Sequence, residues 1–336
     1  MNGAAKSVAV RGSEPAQHGQ RALVDWIERL GLFIAWAATI AVFGALQPQT
    51  FLTWANFSTI FGSQAVLVVL TLGLIIPLTA GDYDLSIASV LTLSSMTVAV
   101  LNVNHGVPIG AAVVVALVVG IVTGLLNGFF VLYFRIHSLI VTLGVGTFLH
   151  GITLWISDSM TLSGIASGLV NAVIVWRLFG IPLEFYYAML VCLVIWYVFS
   201  YTALGRRLLF VGRGRDVARL SGIHVDRVRW GALVTSGFLG SLAGVLYAGT
   251  TGAADPSSGM SFLLPAFAAS FLGATSIVPG RFNPWGATVA VYFLVTGITG
   301  LSILGISTFV QDLFYGGALV IAVTLSQIVR GREERL

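Results

Sequence analysis

Two aspartates in an otherwise uncharged part of the chain are the first residues that could do chemistry. Asp82 and Asp84 stand in Ala80-Gly81-Asp82-Tyr83-Asp84-Leu85-Ser86, with no charged residue between Arg29 and Asp82 or between Asp84 and Arg135. A carboxylate in so apolar a setting is costly, and a place on a solute or ion path is its default reading. A second reading is open beside it. At a turn between two helices the Asp84 carboxylate can cap the next helix, meeting free backbone N–H groups and the positive end of the dipole. Other chemistries fail on composition. Cys192 is the sole cysteine, which leaves no internal disulfide, redox pair or cysteine-rich metal site. His18, His105, His137, His150 and His224 show no metal-ligand spacing and read as structural, so no metal is expected. Lys6 is the one lysine and lies in a polar stretch, so there is no G-x-x-x-x-G-K-[ST] phosphate loop and no ATP hydrolysis by that route. No nucleophile–base set of an enzyme stands out either.

The elements that must hold these aspartates follow from composition. Of 336 residues, 57% are hydrophobic and 9% charged, against about 25% charged in a soluble domain. That excludes a soluble globular protein and a disordered one. At ~20 residues per span, the uncharged runs give ten helices, at roughly 30–47, 61–79, 84–103, 109–131, 138–156, 185–203, 230–250, 262–278, 285–302 and 309–328. The fold class expected is therefore an all-α polytopic membrane protein of about ten helices, a single domain over residues 26–330. Residues 1–25 read as a polar tail without fixed structure and 331–336 as a short C-terminal tail. The apolar run after Arg29 is longer than a signal peptide's core and lacks an A-x-A site, so it reads as a retained first helix. With both ends in the cytoplasm, all but Arg177 of the 17 basic residues fall on inner segments. This arrangement also accounts for the pI near 9.5 without a nucleic-acid partner.

Small residues and one loop complete the reading. Gly120, Gly124 and Gly128 recur every fourth residue on the fourth helix, and Gly240 and Gly244 share a face of the seventh, the spacing that lets membrane helices approach closely. The inner loop over 204–229 carries seven arginines against Asp216 and Asp226, more than orientation requires. Within it, Asp216-Val217-Ala218-Arg219-Leu220-Ser221-Gly222-Ile223 reads as a short helix with Asp216 at the N-cap and Gly222 just past the C-terminus. Val217 and Leu220, three apart, give it a small apolar face suited to docking in a partner's groove.

These residues resemble a known family, the inner-membrane permease subunits of bacterial ABC importers for ribose, xylose, arabinose and related sugars. Phe51-Leu52-Thr53 with Asn56 is similar to F-L-[ST]-x-x-N, and Gly81-Asp82-Tyr83-Asp84-Leu85-Ser86 to G-G-I-D-L-S. Gly124-Leu125-Leu126-Asn127-Gly128 is similar to G-L-[IL]-N-G, and Ile140-Val141-Thr142-Leu143-Gly144 to I-[AV]-T-L-G. The fullest likeness is Arg215-Asp216-Val217-Ala218-Arg219-Leu220-Ser221-Gly222-Ile223 to the coupling loop E-E-A-A-R-L-S-G-I. Gly273-Ala274-Thr275-Ser276 with Gly280-Arg281 resembles G-G-T-S-x-x-G-G-R-G, and the motifs run in order from about Phe51 to Gln327. The chain departs from the pattern at Asp82, which replaces a glycine, at Pro265, where aspartate is usual, and at Asn283-Pro284.

The resemblance implies a subunit of the bacterial inner membrane that forms a sugar pathway with a second permease chain. A cytoplasmic ATP-binding subunit would hold ATP and magnesium, so no cofactor is expected in this chain, and a periplasmic binding protein would deliver the sugar. Residues 215–223 would transmit ATP-driven motion, and Asp82, Asp84, Ser86, Asn127 and Thr142 are the pathway or gating candidates. Two other readings stay open: the same permease class with branched-chain amino acids or nucleosides as cargo, and an ion-coupled secondary transporter.

Overall fold

In the computed structural model, which describes residues 15–307 and 309–333 and the side chains of 29–307 and 309–324, the run Ala65–Thr79 is the helix the others surround. It has no polar stripe. Thr71 and Thr79 return their hydroxyls to the carbonyls of Leu67 and Ile75, 2.7 and 2.6 Å away, and all its residues are buried. A helix apolar all round has no face to give to water and must be enclosed.

In chain order the helices are α1 (Pro15–Leu46), α2 (Pro48–Phe51), α3 (Trp54–Ser63), α4 (Ala65–Thr79), α5 (Ile87–Ala99), α6 (Ile109–Tyr133), α7 (Ser138–Ile156) and α8 (Ser167–Val170). There follow α9 (Leu183–Tyr201), α10 (Ala203–Arg213), α11 (Arg215–Leu220), α12 (Val225–Thr251), α13 (Met260–Gly273), α14 (Pro284–Ile303) and α15 (Phe309–Glu333). Wider π-type turns extend α5 over Val100–Asn104 and α8 over Asn171–Val175. Two short antiparallel ladders tie loops together, Leu162–Ser163 with Ala253–Ala254 and Arg177–Leu178 with Ile181–Pro182.

The centre is α12, which packs on α4, α5 and α6. The crossing with α6 is so close that a Cβ on Gly120 would strike the Gly237 carbonyl and Ser241, and one on Gly124 the backbone of Val234. Without those side chains the two backbones come into direct van der Waals contact, which is how membrane helices gain adhesion where water supplies none. Gly128 faces the Trp230 ring, and Gly240 and Gly244 face α5 at Ile87 and Leu91.

All ten expected segments coincide with helices. Among the described residues, eight are long and apolar enough to cross a membrane, and the apolar helix α13 and the apolar stretch Phe309–Thr324 of α15 stand in the eighth and tenth places. At 1.5 Å per residue α13, with 14 residues, spans about 21 Å of a ~30 Å hydrocarbon core. The second segment begins earlier than expected, at Trp54, and its helix is broken at Gln64. Of the expected N-terminal tail, residues 1–14 lie outside the described residues, and α1 already starts at Pro15. At the other end α15 runs to Glu333, and residues 334–336 lie outside the described residues.

Candidate coupling site

Pro77 sits near the end of α4, and the chain leaves the helix through Gly81 at φ +76°, a conformation that side chains with a Cβ resist. That turn carries both aspartates inward, and both are buried. Asp82 receives a two-pronged grip from Arg229 in the first turns of α12: Nε donates to Oδ2 at 2.7 Å and Nη2 to Oδ1 at 2.7 Å. Arg215, the first residue of α11, adds Nη2 to the same Oδ1 at 3.0 Å and to the Gly81 carbonyl at 2.9 Å. One carboxylate thus joins the α4–α5 turn, α11 and α12. Forked guanidinium–carboxylate bonds are strong and fix orientation.

Asp84 is held differently, by neutral donors. Its Oδ1 accepts from the Ser86 N–H at 3.0 Å and the Ser86 hydroxyl at 2.6 Å, and its Oδ2 from the Ser236 hydroxyl of α12 at 2.7 Å. Ser86 in turn accepts from Asn127 Nδ2 of α6 at 2.8 Å. Burial raises the Asp84 carboxyl above its ordinary value of 3.8, with the Ser86 and Ser236 hydrogen bonds opposing part of that shift. The N-cap position of α5 belongs to Ser86, and Asp84, two residues before that cap, accepts from the Ser86 backbone N–H. From α7, Thr142 accepts from the Leu85 N–H at 3.0 Å and Ser138 from the Tyr83 N–H at 3.0 Å.

The structure therefore brings Asp82, Asp84, Ser86, Asn127 and Thr142 together around one turn. Asp84, Ser86, Asn127 and Thr142 are buried among the helices, whereas Asp82 also reaches a cavity. That cavity, of about 690 Å³, lies between the α6–α7 connection and α11 and is lined by Asp82, Arg135, Arg215, Arg219, Asp226 and Arg229 among others.

Beside it, α11 differs from the expected helix at one end. Gly214 holds the N-cap position, and Asp216 is the second helical residue, exposed and 3.6 Å from Arg219. Arg219 also reaches Asp226 at 3.3 Å. The C-terminus is as read from the sequence: Gly222 has φ +79°, its N–H donates to the Arg219 carbonyl at 3.0 Å, and Ile223 N–H to Ala218 at 3.0 Å. Those two bonds close a Schellman motif, whose left-handed residue only glycine adopts freely. Ala218 is buried, whereas Val217 and Leu220 are 59% and 90% exposed. Ser221 returns its hydroxyl to the Val217 carbonyl at 2.9 Å.

Sequence reasoning missed the partners of the aspartates. Arg229 and Ser236 lie 147 and 152 residues from them and belong to no motif. It also missed Glu184, buried at the start of α9, whose Oε2 accepts from the Thr250 hydroxyl at 2.5 Å while Oε1 has no hydrogen-bond partner among the described residues. An acid one residue outside an expected span looks like a surface residue.

Helices long and apolar enough to cross a bilayer, packed around a buried polar junction, define a multi-pass membrane protein. The comparisons place it further. The chain matches the family model for the permease component of branched-chain amino acid transport systems over residues 56–323 and belongs to that family. It is 32% identical to the D-allose transport system permease protein of Escherichia coli K12, covering 90% of this chain and 92% of that one. It is 31% identical to the ribose import permease protein of Bacillus subtilis, with 90% and 93% covered. The xylose transport system permease protein of Escherichia coli K12 is 25% identical over 90% and 93%. No solved structure matches. The chain is a permease subunit of an ATP-binding-cassette import system, set in the bacterial inner membrane, and such a system includes an ATPase and a binding protein.

Proposed function

We propose that this chain lines the path of a sugar across the inner membrane, paired with a second permease chain and driven by a separate ATP-binding subunit that holds the ATP and magnesium. Both chain ends and α11 face the cytoplasm in this reading, in keeping with the distribution of basic residues. Relatives named for allose, ribose and xylose support a sugar as cargo.

The observation that carries the mechanism is the Arg215–Asp82–Arg229 junction. The ATPase seats on Val217 and Leu220, which α11 holds clear of the protein. Movement of α11 pulls Arg215, and Arg215 is bonded to the carboxylate that also holds α12. The push therefore reaches α12 and the α4–α5 turn together, and through Asp84, Ser86 and Asn127 it reaches α6. Two packings of such a junction make a switch, because close-packed helices shift between arrangements and do not stretch. A loaded periplasmic binding protein supplies the sugar and its selectivity from the other side.

The test is reconstitution of the chain with its ATPase subunit and binding proteins loaded with D-allose, D-ribose, D-xylose or leucine. ATPase activity that rises with a sugar-loaded protein carries the reading. A rise with leucine alone would transfer the cargo to the amino acid of the family's description. A chain that purifies alone and moves solute down an ion gradient would overturn the reading.

A further inference from the structure

On the flank away from the aspartates, α9 and α12 part and leave a groove of about 460 Å³ closed at one end by α10. Leu190, Val194 and Val198 of α9, Leu204 of α10 and Phe238 and Leu242 of α12 form its walls, and Arg227 is the one charged residue that lines it. It runs along α12 from Arg227 in the first turn to Leu242. At 1.5 Å per residue that is about 22 Å, more than the depth of one leaflet of a ~30 Å core.

The basic end of the groove is Arg227. Arg206 and Arg207 lie on the same helix α10 but line a separate cavity of about 280 Å³, together with Ser221 and Ile223. None of Arg206, Arg207 and Arg227 has an ion-pair partner among the described residues. The neighbouring acid, Asp226, is bonded to Arg219 and lines the cavity beside α11 instead. Helix α10 itself is two-faced, with Leu208 and Val211 buried and Arg206, Arg207 and Arg213 exposed, the pattern of a helix lying in a membrane interface.

We propose that this groove is a phospholipid site: one acyl chain lies along α12 between Val228 and Leu242, and the anionic headgroup phosphate sits on Arg227. Hydrocarbon gains nothing by leaving bulk lipid for an apolar groove except closer packing. Selection therefore falls on the headgroup, where anionic lipid meets Arg227, which has no ion-pair partner among the described residues. The bound lipid fills the space between α9 and α12 and holds α10, the helix that leads directly into α11. The inference stands on the groove and its charges, independently of which solute the chain transports.

Native mass spectrometry of the delipidated full-length chain, titrated with dioleoyl phosphatidylglycerol or phosphatidylcholine, tests it. The wild type retains one phosphatidylglycerol per chain in preference to phosphatidylcholine. Arg227→Gln lowers that preference about five-fold, the factor expected for one interfacial arginine. A Cβ added at Gly231 meets no atom within 4 Å, so Gly231→Leu fills the groove without displacing a helix and abolishes retention of both lipids. Thr235→Phe, one turn further along, is a second filler should the first fail to fold. Equal retention of the two lipids by the wild type, or full retention by a folded filler variant, overturns the proposal. So does stabilisation by inorganic phosphate alone equal to that by phosphatidylglycerol, which would leave an anion site without an acyl chain. A filler variant that splits a dimer while its lipid count holds would assign the groove to contact between two copies and overturn it equally.

Discussion

Asp82 and Leu220 stand on opposite sides of one arginine-rich junction and could hardly be less alike in exposure. The aspartate is buried and gripped by two guanidiniums, whereas the leucine is 90% exposed with its apolar side chain in the open. A polar residue inside and an apolar one outside reverse the usual preference, and each reversal has a different physical meaning. The buried charge is satisfied within the chain, so it can pass force between helices. The exposed leucine has no apolar cover within the chain, and in the proposed function that cover comes from the ATPase. Arg215 belongs to both regions and makes the connection.

Within the buried half, the largest effect comes from unpairing a charge. Asp82→Ala leaves Arg229, whose side chain is only 11% exposed, without its partner. Removing one member of a buried pair costs about 3–5 kcal/mol, and Arg229→Ala should fall toward the low end of that range, because Arg215 still holds the carboxylate. Arg215→Ala should cost less than about 1 kcal/mol, because Arg215 is 38% exposed and solvent compensates. Denaturant unfolding of the three variants in detergent ranks them. An Arg215 variant as unstable as the Arg229 variant would make α11 a structural brace and deny it the freedom to move against the turn.

How far each half could be read in advance follows from the range of the interactions involved. The α11 segment was legible because its determinants are local: Gly222 must take the left-handed turn, and the apolar pair is three residues apart. Only its N-terminus shifted, since an aspartate at the second helical position also meets the free N–H groups and the positive dipole end. The aspartates were conspicuous against their uncharged flanks, and the motifs around Ser86, Asn127 and Thr142 were found separately in α5, α6 and α7. Their convergence was not legible. Nothing in the spacing of Arg229 distinguishes it from the other arginines of its loop, whose number exceeds what orientation requires. Glu184, α8 and the break at Gln64 were missed because each sits at the margin of an apolar run, where a 20-residue window carries little weight.

A titration separates the two aspartates from each other. Asp84 has neutral donors where Asp82 has cations, and burial holds its carboxyl above 3.8. For an acid whose folded value is raised, the folded state binds the proton more tightly than the unfolded one. Its stabilising contribution is complete below 3.8 and lost as pH climbs from there through the raised value. Asparagine does not titrate, so the stability of the wild type relative to Asp84→Asn should shrink as pH rises over that window, all other groups cancelling. Paired thermal unfolding curves across the range measure the difference. A difference that grows with pH would mean the site prefers the charged carboxylate, and Asp84 would then stand with Asp82 as an ionic post.

The smallest effect on folding should accompany a complete loss of coupling. Leu220→Glu alters a side chain that touches almost nothing in this chain, so stability should stay within about 0.5 kcal/mol of the wild type. The same change places a carboxylate where the ATPase surface must take an apolar group, and an unpaired charge buried at an interface opposes association by several kcal/mol. Co-purification of the ATPase subunit and ATP-driven uptake should both disappear while the protein level in the membrane holds. Leu220→Met, which keeps an apolar side chain of similar volume, should retain both. If the glutamate variant binds the ATPase and transports normally, the exposed face of α11 is not the docking surface. The arginine-lined cavity beside it would then have to receive the partner, with Asp82 at the contact itself and no longer one step behind it.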